Sequence, residues 1–309
     1  MKKILTLTLN PALDKNLTVS KLVPEKKLQC TSVTIEPGGG GINVSRAIHK
    51  LGGMSEAVYL AGGFTGNEFS ALLSKEKIQS VALPIQGATR ENFMVVDEAT
   101  HLQYRFGMPG PAVDVAEWQQ ALNYIQQQTA LDFIVASGSL PPGVPENFFA
   151  RLALIAKQLN AKLVVDTSGK ALQEAVKVGV FLIKPNLGEL SNLYGKETLT
   201  QEELPVAARS VINQGGCEMM VISMGAAGAM LVTKEAQYVI KPPPVTVKST
   251  VGAGDSMVGA MVLALSEGFL LEDVLRYGVA AGTAATMNYG TELCKKEDTE
   301  RLFLKMKQE

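Results

Sequence analysis

The sequence predicts a three-layer α/β fold, in which helices cover both faces of a mainly parallel sheet and a small second sheet, the lid sheet, lies beside it. Short runs of Val, Ile and Leu alternate with longer segments of helical periodicity, as in parallel sheets with crossover helices. Two other segments, Leu17–Ile35 and Phe93–Phe106, alternate with period two and contain no helical pattern. The 309 residues are interpreted as one domain, with the lid sheet built from about 12–35 and 87–110.

The first strand of the main sheet is Ile4–Leu9, an apolar run that alternates with Thr and ends at Asn10. No small-residue cleavage site follows, so a buried strand is preferred to a signal peptide. The remaining strands are predicted, in order, at Ala57–Leu60, Phe133–Ala136, Leu163–Val165, Phe181–Ile183 and Met220–Ile222. Helical periodicity predicts helices at Ile42–Leu51, Asn67–Lys75, Val115–Gln128, Pro145–Gln158, Gly169–Lys177, Gln201–Gln214, Asp255–Leu265 and Asp298–Met306.

The two segments of the lid sheet are expected to pair as antiparallel strands. They flank the glycine run Gly38–Gly41. Because ligands of open α/β sheets bind at the carboxyl ends of the strands, the lid sheet is expected to cover a site there. Its edge and its apolar face would be exposed in a monomer, so we expect a homodimer formed through the lid sheet.

The composition excludes several classes of function. Lys and Arg total 29 against 30 Asp and Glu, a net charge of -1, which argues against nucleic-acid and membrane partners. The three cysteines are far apart and there are two histidines, so neither a zinc site nor disulfides are expected, and a cytoplasmic location fits. No apolar run reaches the roughly 18 residues that span a bilayer. A small-molecule partner is expected.

The strongest local signal is Ser249–Met257, where a glycine-containing turn leads into an apolar helix. Free N–H groups and the positive end of the helix dipole can bind a phosphoryl group there, and Gly252 and Gly254 allow the backbone to approach it. Asp255 lies beside this anion site. It is a candidate general base, because it can accept a proton from an incoming nucleophile. It is equally well interpreted as a helix N-cap.

The segment Leu182–Leu190 follows a strand and sets Asn186 and Glu189 three residues apart, on one helical face. Their oxygen atoms can orient a hydrated Mg²⁺ ion. The alternative, which the segment alone favours, is a capping box in which Asn186 caps the helix and Glu189 is its partner. Lys184 is either a ligand of nucleotide phosphates or a solvated lysine.

Four consecutive glycines open a helix in Glu36–Arg46. Ordering so many glycines is entropically costly, so they are expected where backbone lies against a polar ligand such as a sugar. Asn43 would then bond sugar hydroxyls; the alternative is a mobile loop. Asp14 adds a carboxylate at the same edge of the sheet. The loop Ser137–Gly143 does not have the G-x-S-x-G spacing that is typical of a hydrolase nucleophile.

Three cations, Arg90, Arg105 and Lys27, lie in or near the predicted lid sheet. They are candidates for binding a phosphate group, Arg through a bidentate fork, with solvated surface charges as the alternative. The sequence lacks the Walker motif, and its glycine turn lacks the third glycine of the dinucleotide fingerprint. A Rossmann-type dehydrogenase is therefore disfavoured.

Taken together, these segments resemble the PfkB branch of the ribokinase-like sugar kinases, over nearly the whole chain. The two signatures of that family match Pro37–Arg46 and Ser249–Gly259, and its magnesium-associated motif matches Lys184–Glu189. Within the family, Tyr104–Gly110 and Pro242–Pro244 are similar to the minor-type bacterial 6-phosphofructokinases. The resemblance implies a ribokinase-like domain that transfers phosphate from ATP to the 1-hydroxyl of fructose 6-phosphate, with Mg²⁺ and a monovalent cation.

The resemblance also implies roles for individual residues. Asp255 is the expected base, and the N–H groups of Gly252, Ala253 and Gly254 are the expected anion hole. The expected ATP contacts are Lys184, Asn186, Ser223, Gly225, Thr250 and Thr283. The expected sugar-phosphate contacts are Asp14, Gly39, Asn43, Arg90, Arg105, Ser139 and, from the lid sheet of a partner subunit, Lys27. Mg²⁺ is expected at Asn186 and Glu189, through water.

Two positions depart from the pattern of 6-phosphofructokinases. Gln29 stands where that pattern has an Arg, and Ala12 lies in an Asn-Pro-Ala-Leu-Asp run that resembles 1-phosphofructokinases and tagatose-6-phosphate kinases. Those relatives usually have Gly-Gly-Lys-Gly in the sugar-site loop, whereas this chain has Gly40. Both remain alternatives to fructose 6-phosphate kinase activity. A non-catalytic sugar or nucleotide sensor is the alternative from another class, and it is disfavoured because Asp255 and the turn glycines are present.

Overall fold

The computed structural model describes residues 2–308 and confirms the α/β architecture. Within those residues, the main sheet has nine strands, which in spatial order are β13 (Gln237–Ile240), β12 (Ala229–Val232), β11 (Cys217–Ser223), β10 (Val180–Ile183), β9 (Lys162–Asp166), β8 (Phe133–Ser137), β1 (Ile4–Thr8), β4 (Glu56–Ala61) and β5 (Gln79–Pro84). In this spatial order, all the strands from β11 through β1 to β5 run parallel to one another. Strands β12 and β13 add an antiparallel hairpin at one edge.

Helices cover both faces of this sheet. They are α1 (Gly40–Lys50), α2 (Gly63–Lys75), α3 (Val115–Gln126), α4 (Phe148–Gln158), α5 (Gly169–Val178), α6 (Leu187–Tyr194), α7 (Leu204–Asn213), α8 (Ala253–Glu267), α9 (Leu271–Thr286) and α10 (Lys296–Gln308). One core cluster joins the sheet to α3, α4, α5 and α7, and a second joins its other face to α1, α8, α9 and α10. The sheet is therefore the middle of three layers.

Alternation along the central strands supplies both cores. In β8, Ile134 and Ala136 belong to one cluster, and Phe133 and Val135 belong to the other. All four side chains are almost completely buried. This burial on both faces explains why the central strands appear in the sequence as short continuous apolar runs.

The lid sheet has four strands within the described residues, in the order β3 (Cys30–Gly38), β2 (Ala12–Val19), β6 (Arg90–Asp97) and β7 (Leu102–Phe106). The predicted small second sheet is confirmed. The expectation that it is purely antiparallel is wrong, because β2 and β6 run parallel, while β2 with β3 and β6 with β7 are antiparallel hairpins. The chain passes through α1, β4, α2 and β5 between the two hairpins, so the second hairpin enters in the same direction as the first.

The predicted strands and helices of the main domain are confirmed, with ends that shift by a few residues. The strands β5, β12 and β13 and helix α9 were not predicted. β5 and β13 are the two edge strands of the sheet, and β12 pairs with β13 in the hairpin at one edge. Helix α9 contains Gly278, and a Cβ there would lie 2.5 Å from the Met261 side chain, so close packing on α8 requires a residue that weakens the helical pattern.

The carboxyl ends of the parallel strands lie together at one edge of the main sheet. They carry Asn10 after β1, Ser139 after β8, Asp166 at the end of β9, Lys184 after β10 and Ser223 at the end of β11. Among residues 2–308, no helix combines the length and apolar composition needed to cross a bilayer.

Candidate active site

Helix α8 begins at the glycine turn identified in the sequence. Gly252 is its N-cap and has a φ of 73°, a left-handed conformation that favours glycine. A Cβ at this position would lie 2.6 Å from the Leu293 side chain. The first N–H groups of α8 have no acceptor within the helix, so the turn presents donors to an anion.

Asp255 lies in the first turn of α8, three residues after the N-cap. Its interpretation as the N-cap is therefore wrong, and no side chain caps this helix. Its Oδ2 instead accepts a hydrogen bond of 2.8 Å from the Asn43 amide. Burial raises the pKa of Asp255 to about 6, and the nearby Asp166 carboxylate adds to the rise, whereas the Asn43 bond and the charge of Lys184 lower it. The carboxylate is thus poised to exchange a proton near neutral pH.

Lys184 is buried beside the glycine turn, so its interpretation as a solvated lysine is wrong. Its Nζ lies 3.2 Å from Asp166 Oδ1, and a Cβ on Gly254 would lie 3.5 Å from the same Nζ. Burial alone would lower the pKa of Lys184, but the Asp166 carboxylate raises it above its usual value. The lysine therefore stays charged next to the anion site.

The sequence reasoning missed Asp166. The available signal was its position, directly after the predicted strand Leu163–Val165 at the carboxyl edge of the sheet. In the structure it ends β9, pairs with Lys184 and lies close enough to raise the pKa of both Asp255 and Glu189. It is a central charge of the site.

Asn186 and Glu189 form the capping box of α6. Asn186 Oδ1 accepts from the Glu189 N–H, and Glu189 Oε2 accepts from the Asn186 N–H, each at 2.9 Å. The box uses one oxygen of Glu189. Burial raises the pKa of Glu189, and Asp166 adds to the rise. Ser223 adjoins this segment, because its N–H donates to the Pro185 carbonyl at 2.9 Å.

The glycine run is not a loop, because Gly38 ends β3 and Gly40 begins α1, so its interpretation as a mobile loop is wrong. A Cβ at Gly38 would lie 1.9 Å from Asp14 Oδ2, and a Cβ at Gly40 would lie 2.3 Å from Ser137 Oγ. Gly39 has a φ of 113° and accepts a hydrogen bond of 2.8 Å from the Asn43 N–H. The glycine run gives Asp14 its space and starts helix α1.

Asp14 and Arg90 meet on the inner face of the lid sheet. The Asn92 amide donates to Asp14 Oδ1 at 2.9 Å, and burial raises the pKa of Asp14. Arg90 is half-buried, and its Nη2 donates to the Asn10 carbonyl at 3.0 Å, so it is not a solvated surface charge. The Asn10 amide donates in turn to Ser139 Oγ at 3.0 Å.

A cavity of about 160 Å³ separates the lid sheet from the glycine turn, lined by Asp14, Asn92, Arg105 and Val251 among others. Arg105 Nη2 lies 3.4 Å from Thr250 Oγ1, so strand β7 reaches the segment before α8. The cavity lies between the Asp14 carboxylate and the turn. A larger cavity, about 820 Å³, lies at the opposite edge of the main sheet, near Lys162, and contains none of the predicted site residues.

Three further predicted residues lie in other elements. Lys27 is exposed in the segment between β2 and β3, beyond Val19 and thus at the far end of β2 from Asp14. Thr283 lies in α9, where its hydroxyl donates to the Val279 carbonyl at 2.7 Å. Gly225 begins a short 3-10 turn after β11 with a φ of 59°.

Comparisons with known proteins agree with this geometry. The model of the pfkB family carbohydrate kinases matches residues 8–298. The chain is 43% identical to the ATP-dependent 6-phosphofructokinase isozyme 2 of Escherichia coli strain K12, over 98% of each chain. It is 32% identical to the 1-phosphofructokinase of Bacillus subtilis strain 168, again over 98% of each chain.

Solved structures give the same result. The phosphofructokinase-2 of Escherichia coli in complex with potassium superimposes with a TM-score of 0.96, at 43% identity, covering 99% of this chain and 100% of the other. Its complex with fructose-6-phosphate gives 0.94 at 41% identity, with the same coverage. The glycine turn, the half-buried Asp255 and the glycine run thus occur in a chain that belongs to the pfkB family of carbohydrate kinases.

Proposed function

We propose that this chain transfers the γ-phosphoryl group of ATP to the 1-hydroxyl of fructose 6-phosphate, giving fructose 1,6-bisphosphate. The observation that supports this best is the hydrogen bond between Asp255 and Asn43, which joins a carboxylate at an anion-binding turn to the helix that begins in the glycine run. The choice of acceptor is supported by 43% identity to a 6-phosphofructokinase against 32% to a 1-phosphofructokinase.

In this proposal Asp255 removes the proton of the acceptor hydroxyl. Its pKa of about 6 keeps it ionised at neutral pH, yet basic enough to take a proton. The N–H groups of Gly252, Ala253 and Gly254 stabilise the charge on the phosphoryl group during transfer. Lys184 adds a fixed positive charge beside that turn.

ATP occupies the neighbouring part of the same edge, and its proposed contacts are Lys184, Asn186, Ser223, Gly225, Thr250 and Thr283. Glu189 suits a hydrated Mg²⁺ ion, because one of its oxygens lies outside the capping box and the neighbouring Asp166 carboxylate raises its pKa, as expected where two negative charges lie close together. When bound, Mg²⁺ neutralises phosphate charge. A monovalent cation is also proposed, from the potassium complex of the Escherichia coli relative.

The sugar phosphate lies under the lid sheet. Its hydroxyls are proposed to bind Asp14, Gly39, Asn43 and Ser139, and its phosphate to bind Arg90, Arg105 and the Lys27 of a second subunit. Asp14 supports this role because it is half-buried, next to the half-buried Arg90 and beside the cavity. A dianionic phosphate requires such cations, and a neutral sugar does not.

The second subunit is proposed to bind the outer face of the lid sheet. The side chains of Val33, Leu17, Val95 and Tyr104 form one row across all four strands on the face opposite Asp14. Val33 is 54% exposed and Tyr104 is 37% exposed. An apolar row of this kind is stabilised by burial against a second copy.

A second candidate acceptor is fructose 1-phosphate or a tagatose phosphate, which Ala12 and Gln29 favour. Gly40 argues against it. The Lys found in the corresponding loop of such kinases needs a Cβ that would collide here with Ser137 Oγ at 2.3 Å and with the Gly138 backbone at 2.7 Å. This chain therefore has no space for that lysine without a backbone shift.

An ATP-dependent assay across four acceptors tests the proposal: fructose 6-phosphate, fructose 1-phosphate, tagatose 6-phosphate and unphosphorylated fructose. We expect the highest kcat/KM for fructose 6-phosphate. A higher value for either of the other sugar phosphates would contradict the proposed acceptor, and phosphorylation of none would support the sensor alternative.

A further inference from the structure

The lid sheet carries a second carboxylate beside Asp14. Glu36 in β3 lies directly opposite Asp14 in β2, so both side chains are on the inner face of the lid sheet. Like charges in such a pair destabilise a sheet. Glu36 contributes to the raised pKa of Asp14, so the two charges do act on each other. The charge of Glu36 therefore needs partners of its own.

The two oxygens of Glu36 bind different parts of the molecule. Oε1 accepts from Arg46 Nη2 at 3.1 Å, which ties it to helix α1. Oε2 accepts from Thr291 Oγ1 at 2.5 Å and from the Asn16 amide at 3.2 Å. The same amide lies 3.0 Å from Thr291 Oγ1. Glu36, Asn16 and Thr291 thus form a closed triangle of polar contacts.

Thr291 belongs to the segment between α9 and α10, outside the lid sheet. It is buried. Its neighbour Gly290 has a φ of 64°, and a Cβ there would lie 3.5 Å from the Asn16 amide nitrogen. The lid sheet therefore approaches this segment closely at a residue whose conformation favours glycine.

The same segment supports the glycine turn. A Cβ added to Gly252 would lie 2.6 Å from the Leu293 side chain. The Cys294 N–H donates a hydrogen bond of 3.2 Å to Ser256 Oγ in α8. The contacts run without a break from Glu36 through Thr291 and Leu293 to Gly252. The lid sheet and the anion-binding turn are thus supported by the same segment between α9 and α10.

We propose that Glu36, Asn16 and Thr291 form a latch that holds the lid sheet closed against the segment supporting the glycine turn, and so positions Asp14 for the acceptor. Glu36 and Thr291 are positioning residues in this account. The inference rests on the proposed function, because it assigns the acceptor to the inner face of the lid sheet. If a variant lowers the fraction of molecules in which the lid sheet is closed, the apparent affinity for the acceptor falls in proportion to that fraction.

The test uses Thr291→Val, which removes the hydroxyl and keeps the shape. We expect the KM for fructose 6-phosphate to rise about tenfold, because the variant loses one hydrogen bond to a charged group. We expect kcat to fall by less than about threefold. Thr291→Ser should restore both values. The matched control is Thr299→Val, because Thr299 is also buried and its hydroxyl donates to the Lys295 carbonyl, away from the lid sheet.

Hydrogen–deuterium exchange on the ligand-free protein gives a readout that needs no sugar. Amides of β3 should exchange faster in Thr291→Val than in the wild type or in Thr299→Val. If Thr291→Val does not fold, Asn16→Ala takes its place with the same expectations. An unchanged acceptor KM, or unchanged exchange in β3, overturns the latch. Failure of the wild type to phosphorylate fructose 6-phosphate instead contradicts the proposed function, and leaves the exchange experiment to decide on the latch.

Discussion

The Asn43 amide donates a hydrogen bond of 2.8 Å to the Asp255 carboxylate, although 212 residues separate them in the chain. Asn43 lies in the first turn of α1 and Asp255 in the first turn of α8, so the bond joins two helix starts. It fixes the direction of the carboxylate at the point where the acceptor hydroxyl and the transferred phosphate are proposed to meet. Its energetic effect favours the ionised form of Asp255.

The first prediction concerns pH. The base must be ionised, so kcat/KM should fall about tenfold for each pH unit below the pKa of Asp255, which is about 6. The Asn43 bond lowers this pKa, and its removal in Asn43→Ala should therefore move the acid limb to higher pH. Profiles of kcat/KM against pH for the two proteins measure the shift. A limb that stays in place would show that another group controls it.

The second prediction separates two roles of Glu189. Glu189→Gln keeps an acceptor for the Asn186 N–H, so the capping box and the melting temperature should be nearly unchanged. The negative charge is lost, so the Mg²⁺ concentration for half-maximal rate should rise roughly tenfold. Titration of the rate with Mg²⁺ measures this. An unchanged Mg²⁺ dependence would assign Glu189 to capping alone.

The third prediction concerns the outer face of the lid sheet. Val33→Asp places a charge in the exposed apolar row, so light scattering should show a monomer for this variant and the proposed dimer for the wild type. Activity should fall with the dimer, because Lys27 is proposed to act in the other subunit. Lys27→Ala is the control: it should remain a dimer and lose affinity for the sugar phosphate. A fully active monomer would refute both the pairing and the donated lysine.

The fourth prediction concerns Gln29, which lies near Lys27 and Lys21 in the segment between β2 and β3. A neutral amide replaces a charge-assisted bond worth about 1.5–3 kcal/mol, so Gln29→Arg should lower the KM for fructose 6-phosphate by roughly tenfold or more. Steady-state kinetics measure this. Gln29→Lys serves as a control for charge without the bidentate fork. If the KM for Gln29→Arg equals that of the wild type, position 29 does not contact the phosphate.

The fold was largely accessible from the sequence because its central strands are buried on both faces. Such strands, for example β8, appear as short apolar runs between helical patterns. The parallel pairing of β2 with β6 was not accessible, since period-two alternation is the same in parallel and antiparallel strands. Helix α9 was missed because its close packing on α8 selects small residues such as Gly278 over a periodic apolar stripe.

Site residues could be predicted from the sequence where a local motif itself indicates the chemistry, as at Gly252 and Asp255. They could not be predicted where a side chain functions through a distant partner. Asp166 carries no motif, and its pairing with Lys184 follows only from the adjacency of β9 and β10. The contact between Glu36 and Thr291 spans 255 residues, a separation that no local pattern encodes.

The central claim is that Asp255 is the base of an anion-binding turn, and Asp255→Asn tests it most directly. Its pKa in the folded protein is raised from 3.8 to about 6, so the fold loses stability as pH rises from 3.8 to about 6, and the full loss remains at higher pH. At pH 8 the variant should thus be at least as thermally stable as the wild type, which excludes unfolding as a cause of lost activity.

The decisive measurement is kcat of Asp255→Asn with saturating ATP and fructose 6-phosphate, alongside the Kd for ATP. The account predicts a fall in kcat of roughly 10²–10⁴-fold, with an ATP affinity close to that of the wild type. A kcat within a few-fold of the wild type would contradict it.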